Sequence, residues 1–262
     1  MIPVATFSQL LQSAVSEPGT ISQAYTAFHG FSLGNRLLAL VQCAERGIVP
    51  GPIATFVGWK AKGRHVVRGS KALVLCMPIT GKRKADDPDD DDTAFVRFVY
   101  RPNWFVLSQT AGEEFQPLAI PAWDQTVALA ALDITEIPFD HMDGNCQGFA
   151  RGRSIAVSPV AELPHKTRFH ELAHVVLGHT AEAETGLSDS DMTPRSLREV
   201  EAEAVALVCL EALGLPGAEH SRGYIQEWNK QLGSEPIPER SAQRIFKAAD
   251  QILKAGSPEA RQ

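Results

Sequence analysis

The chain of 262 residues lacks the groups that mark secreted or membrane-spanning proteins. It has four cysteines, Cys43, Cys76, Cys146 and Cys209, and no two of them stand in a C-x-x-C spacing. That excludes a disulfide framework and a paired-thiolate zinc knuckle, and the thiols, mostly inside apolar runs, read as buried and free. No apolar run approaches 18 residues, and the first residues lack the basic stretch that opens a signal peptide. A cytoplasmic protein with no membrane partner is the expectation. No internal period of 20 to 50 residues is visible, which excludes a solenoid.

What is present is unevenly placed. Residues 1–85 hold ten Lys/Arg against Glu17 and Glu45, a net of +8, whereas residues 116–262 hold 13 against 21 Asp/Glu, a net of −8. The asymmetry predicts a basic binding domain over 1–115 joined to an acidic domain over 116–262. Hydrophobic periodicity predicts an α+β chain. Its first half has helices over 7–15 and 33–46 and strands over 72–78, 95–100 and 104–107. Its second half is mostly helical, with a short helix over 126–132, a strand over 153–158, and helices over 168–177, 196–210, 221–232 and 238–253. The strand over 153–158 is expected to line a cleft and to pair with an extended peptide by strand addition.

The chemistry centres on His170-Glu171-Leu172-Ala173-His174. Residues four apart share a helix face, so His170 and His174 can reach one ion while Glu171, one residue round, points at its open side. The flanking Leu172, Ala173, Val175, Val176 and Leu177 make this helix apolar and hence buried. Two imidazoles and a carboxylate buried without partners would each cost several kcal/mol, so a bound cation explains all three. A hydrolytic zinc takes three protein ligands, and the helix over 196–210 offers Glu199, Glu201 and Glu203. Glu199 and Glu203 share a face with Ala202 and Ala206, while Glu201 is turned about 200° away. Glu199 is the expected third ligand, Glu203 the partner that orients a ligand histidine, and Glu201 a weaker alternative. One Zn2+, with another divalent ion as the alternative, would then acidify a water and polarise an amide carbonyl, with Glu171 as the base. His179 lies about 500° round the helix from His174, and Gly178 is placed to end the helix first. It reads as a turn residue or an outer partner of the site, and His165 as a weaker candidate still.

In the basic half, Trp59 is interleaved with Lys60, Lys62, Arg64, Arg68 and Lys71, and Gly58, Gly63 and Gly69 let a ligand approach the backbone. Single-stranded nucleic acid needs such a surface: bases stack on the ring and phosphates meet the cations. The other reading is a solvated hairpin whose tryptophan plugs the core. The run over 86–92 holds six aspartates but lacks the ligand spacing of a calcium loop, and it is expected to be a solvated hairpin tip.

Three blocks resemble the ArdC-type antirestriction proteins of conjugative plasmids: Trp59-x3-Gly63-Arg64-x-Val66-x-Arg68-Gly69, Phe169-His170-Glu171-Leu172-Ala173-His174 with Gly178-His179, and Arg198-Glu199-Val200-Glu201-Ala202-Glu203. Tyr224-Ile225-x2-Trp228 and Ala248-Ala249-Asp250 are similar to the family's C-terminal part. The resemblance implies a single-stranded-DNA-binding domain followed by a zincin-like metallopeptidase domain, and a role in protecting incoming DNA from host restriction. It also implies the gluzincin-like spacing in which Glu199 is followed by Ala202 and a polar Glu203. Which protein substrate it has, if any, is left unidentified. The alternatives are a DNA-responsive protease that cleaves a repressor, and a DNA-binding protein whose metal site is not catalytic.

Overall fold

The computed structural model describes residues 5–82, 94–117, 119–141, 145–180, 194–231 and 236–257. The acidic run over 86–92 lies outside these residues. In chain order the elements are α1 (Phe7–Ser16), α2 (Thr20–Ala27), α3 (Leu33–Arg46), β1 (Ile53–Thr55), α4 (Phe56–Ala61), β2 (Arg64–Val66), β3 (Leu73–Lys82), β4 (Ala94–Val106) and β5 (Thr110–Gly112). They continue with α5 (Gln125–Ala131), β6 (Thr135–Glu136), β7 (Gly148–Arg151), β8 (Ser154–Val157), α6 (Pro164–Val176), α7 (Arg195–Leu213), α8 (Ala218–Gln231) and α9 (Glu239–Ala255). The α+β class is as expected. No described helix is long and apolar enough to cross a membrane. All four cysteines are free.

The chain divides into two compact units. The first holds Ala27–Phe31 and Asn35–Leu118; the second holds Ala5–Thr26, Ser32–Gly34 and Ala119–Gln262. Residues 5–26 therefore precede the first unit in sequence yet pack with the second.

In the first unit, β4 is the middle strand of an antiparallel sheet ordered β1-β4-β3, and β2 pairs with β5 in a second small sheet. The two strands expected over 95–100 and 104–107 are one continuous strand, β4, with an irregularity opposite Leu73/Val74. The outer edge of β3 is closed by side chains of α3. Asn35 accepts from the Cys76 amide at 2.8 Å and donates to its carbonyl at 2.9 Å, and Gln42 does the same for Val74 at 2.9 and 2.8 Å. Two amides seven residues apart, on one face of a helix, thus satisfy an edge that would otherwise pair with another chain. Leu37, Leu38, Leu73, Leu75, Trp104 and Val106 fill the core of this unit.

The second unit is built on α7, whose residues from Val200 to Ala212 are all buried. A helix covered on every side needs neighbours all round, and α6, α8 and α9 supply them. Gly214, at φ +65°, ends it in the left-handed conformation that glycine adopts without strain. The sheet is ordered β6-β8-β7, with β8 parallel to β6 and antiparallel to β7. The expectation of strand addition to residues 153–158 is thereby overturned: both edges of β8 are already paired, and the outer strands are β6 and β7. Helix α6 packs on β7 and β8, and Arg168 ties it to β6 through both carboxylate oxygens of Glu136, at 2.9 and 3.2 Å.

Candidate metal centre

Helix α6 carries the H-E-x-x-H residues, and Pro164 starts it at a position where a missing N–H costs nothing. The four-residue spacing places both imidazoles on the face toward α7. His170 Nε2 and His174 Nε2 lie 3.1 Å apart, and Glu199 Oε2 from α7 stands 3.5 Å from the first and 3.6 Å from the second. Among the described residues, His170, His174 and Glu199 form the group whose donor atoms converge closely enough to hold one ion. A tetrahedral ion with bonds of about 2.0–2.1 Å needs donors roughly 3.3 Å apart, which matches this triangle.

The ring tautomer strengthens the case. His170 Nδ1 lies 2.8 Å from Glu203 Oε2, and the other oxygen of Glu203 takes Lys166 Nζ at 2.7 Å. A carboxylate only accepts, so His170 carries its proton on Nδ1 and turns an Nε2 lone pair inward. That lone pair faces a carboxylate oxygen, an arrangement relieved only by a cation. In the absence of an ion a second proton serves. Burial works against the charged His170 ring, but Glu199 and Glu203 outweigh it and push its pKa up to about 9. The adjacent His170 and His174 rings hold the Glu199 carboxyl far below the usual range. Glu203, which burial would raise, is held at about 2 by His170 and Lys166.

Glu171 is buried and is not one of the three converging donors. Burial raises its pKa, against the lowering pull of His170 and His174, which suits a proton acceptor more than a structural anion. Gly148 on β7 lies against it: an added Cβ there would stand 2.5 Å from Thr167 Cγ2, 2.9 Å from the Ala156 carbonyl oxygen and 3.2 Å from Glu171 Cγ.

Two further site residues come from the turn after α6 and the far side of α7. Gly178, at φ +76°, takes the left-handed conformation. The His179 amide then bonds the His174 carbonyl at 2.8 Å and the Gly178 amide bonds the Val175 carbonyl at 3.1 Å, the paired bonds of a Schellman end. The reversal brings His179 back over the site, where helical continuation would have carried it off the face. Its Nδ1 lies 3.0 Å from His174 Nδ1, and its Nε2 lies 3.0 Å from Glu201 Oε2. Glu201 is fully buried and does not join the donor triangle; Arg244 of α9 stands 3.6 Å from the same carboxylate oxygen. No sequence signal on α6 or α7 pointed to Arg244. His165 is exposed and outside the cluster.

In the first unit the expected nucleic-acid residues separate into two groups. Trp59 is 1% exposed, its indole N–H donates to the Phe105 carbonyl at 2.8 Å, and Phe115 packs edge-on against it. It is a core residue, so the expectation that bases stack on it is corrected: the short helix α4 turns the ring inward. Arg64 is also committed to the fold, bonding the Thr110 hydroxyl at 2.8 Å, the Thr110 carbonyl at 3.1 Å and the Glu113 carbonyl. Lys60, Lys62, Arg68 and Lys71 are exposed. Exposed aromatics stand elsewhere: Phe98 at 66% and Tyr100 at 45%, two residues apart on β4 and hence on one sheet face, with exposed Arg97 and Arg101 beside them in the strand. The alternation Arg97-Phe98-Val99-Tyr100-Arg101 was the signal available for them.

No protein-family model matches the chain, and no curated protein matches it. Among solved structures it is similar to the antirestriction ArdC protein from R388 plasmid in its metal-free form, at 19% identity and a TM-score of 0.55, over 95% of this chain and 94% of that one. The Mn(II)-bound form of that protein matches at 18% identity and a TM-score of 0.54, over 96% and 97%. Over nearly its whole length, then, the chain has an ArdC-like fold.

Proposed function

We propose that this chain is an antirestriction-type protein that binds single-stranded DNA through its first unit and carries a divalent-metal peptidase site in its second. One observation carries the metal half: the inward lone pairs of His170 and His174 and a Glu199 oxygen converge at the spacing a small divalent ion requires, with Glu171 beside them. The similar ArdC structures are of an antirestriction protein, and one of them holds Mn(II), which supports the antirestriction role and a divalent ion.

His170, His174 and Glu199 would hold the ion. When bound, Zn2+ or a similar ion supplies a Lewis acid and makes a water acidic near neutral pH. Glu171, outside the ligand set, takes a proton from water on a carboxylate oxygen and returns it to the departing amine nitrogen. Glu203 holds His170 in the tautomer that faces inward, and Lys166 keeps Glu203 ionised. Gly148, with no side chain, leaves Glu171 its space, and it stands on β7, an outer strand beside which an extended chain would lie.

For DNA, the exposed Lys60, Lys62, Arg68 and Lys71 supply phosphate contacts, and Phe98 and Tyr100 supply the rings that Trp59 does not. A DNA-binding protein with a non-catalytic ion is the second reading; the buried Glu171 argues against it, because a purely structural ion has no use for a base. The test pairs two measurements on wild type and Glu171→Gln: anisotropy with matched single- and double-stranded oligonucleotides, and cleavage of a quenched peptide library in Zn2+. Salt-sensitive single-strand preference in both proteins, with cleavage in wild type alone, is expected. Equal cleavage by both proteins would remove Glu171 as the base, and absence of strand preference would remove the DNA half.

A further inference from the structure

Behind the ligand His174 a chain of contacts runs through His179 and the buried Glu201 to Arg244, and these three neither hold the ion nor take part in the proton transfers above. Its geometry fixes a direction. Glu201 is a carboxylate at 3.0 Å from His179 Nε2, and a carboxylate only accepts, so the proton of the neutral His179 ring sits on Nε2. His179 Nδ1 is then a lone pair. His174 Nδ1, 3.0 Å away, must therefore be the donor, and the single proton of a neutral His174 is drawn to Nδ1, leaving Nε2 as a lone pair toward Glu199 and His170.

We infer that His179 and Glu201 are positioning residues that select the metal-competent tautomer of His174 at second hand, with Arg244 as their anchor. The inference rests on the metal reading of the site. His170 meets its carboxylate, Glu203, directly, whereas among the described residues the partner of His174 Nδ1 is His179, and through that inserted imidazole it reaches Glu201. Both carboxylates belong to α7, and each is held in turn by a cation: Lys166 on Glu203 and Arg244 on Glu201. Arg244 also donates to the Leu177 carbonyl at 2.9 Å, so one guanidinium fixes both the carboxylate and the end of α6 from which His179 emerges. Backbone and side chain act on the same pair, since the helix-ending bond runs from the His179 amide to the His174 carbonyl. A ring that only filled space would need neither the aligned nitrogens nor a buried charge behind it.

The test uses Zn2+ alone, titrated against a chromophoric chelator, on the full chain as wild type, His179→Leu and His179→Asn, with 15N spectra of the histidine rings. Asparagine offers a carbonyl oxygen where His179 has Nδ1, while leucine fills space without an acceptor. Zinc affinity is expected to fall about 10- to 100-fold in His179→Leu and to return to within a few-fold of wild type in His179→Asn. Equal losses in both variants, or affinity unchanged in His179→Leu, would overturn the relay. The 15N shifts of wild type decide the matter without any variant: His179 protonated at Nε2 supports it, and at Nδ1 sinks it. That reading holds in the metal-free protein too, so failure of wild type to bind Zn2+ would reject the metal site and still leave the relay decided on its own evidence.

Discussion

The amide of His179 bonds the carbonyl of His174 at 2.8 Å, and the imidazoles of the same two residues meet at 3.0 Å. The conformation of Gly178 makes both contacts possible. A Cβ at Gly178 would meet nothing within 4 Å, so Gly178→Ala tests backbone conformation alone. It should cost about 1–2 kcal/mol in urea unfolding and weaken Zn2+ binding through the displaced His179.

Gly148→Ala should separate the base from the ligands. The new methyl would press first on the Thr167 side chain at 2.5 Å, then on the Ala156 carbonyl and on Glu171, and on none of His170, His174 or Glu199 directly. Peptide cleavage is expected to drop about tenfold or more, since small displacements of a base are costly, with Zn2+ affinity within a few-fold of wild type.

Helix α1 has a borrowed cap. Thr6 accepts from the Gln9 amide, and Glu239 of α9 accepts from the amides of Phe7 and Ser8 at 3.2 and 2.8 Å. Burial raises the Glu239 pKa, but those amides and Gln243 bring it below the ordinary value. A depressed carboxylate stabilises the fold above its unfolded pKa of about 4.3, and the contribution disappears as pH falls through the folded value. Glu239→Ala should therefore lose about 1 kcal/mol at pH 7, comparable to loss of a cap. The gap between variant and wild type should close below about pH 4 in chemical unfolding.

Removing exposed rings and removing buried ones should give opposite signatures in the first unit. Phe98→Ala and Tyr100→Ala are expected to weaken single-strand binding by about 1–3 kcal/mol each with little change in stability. Trp59→Ala should cost about 3–5 kcal/mol of folding free energy, as loss of a packed core aromatic does. Neutralising Lys60, Lys62, Arg68 or Lys71 should lower the salt slope of binding by about one each.

The site was more legible than the fold around it. Spacing alone gave His170, Glu171 and His174 their common helix, and small residues beside Glu199 gave the close approach of α7. The resemblance to ArdC-type proteins, read from a few blocks, agrees with the similar solved structures. Trp59 misled because charges on both sides of a tryptophan look the same whether a short helix turns the ring in or a hairpin turns it out. His179 was placed off the face by counting degrees, a count that stops at Gly178, where the chain reverses. Arg244 lies 65 positions beyond His179 and only tertiary packing brings it to Glu201. Strand β8 was recognisable as a strand, but its two neighbours were not, and pairing is a property of neighbours.

The borrowed cap on α1 also orders events during synthesis. Phe7 and Ser8 emerge from the ribosome more than 200 residues before Glu239, the group that satisfies their amides. The first unit, lying between them in sequence, can assemble while α1 still waits. Closure of the second unit falls to α9, so the metal-ligand helices acquire their final support only once α9 has been made.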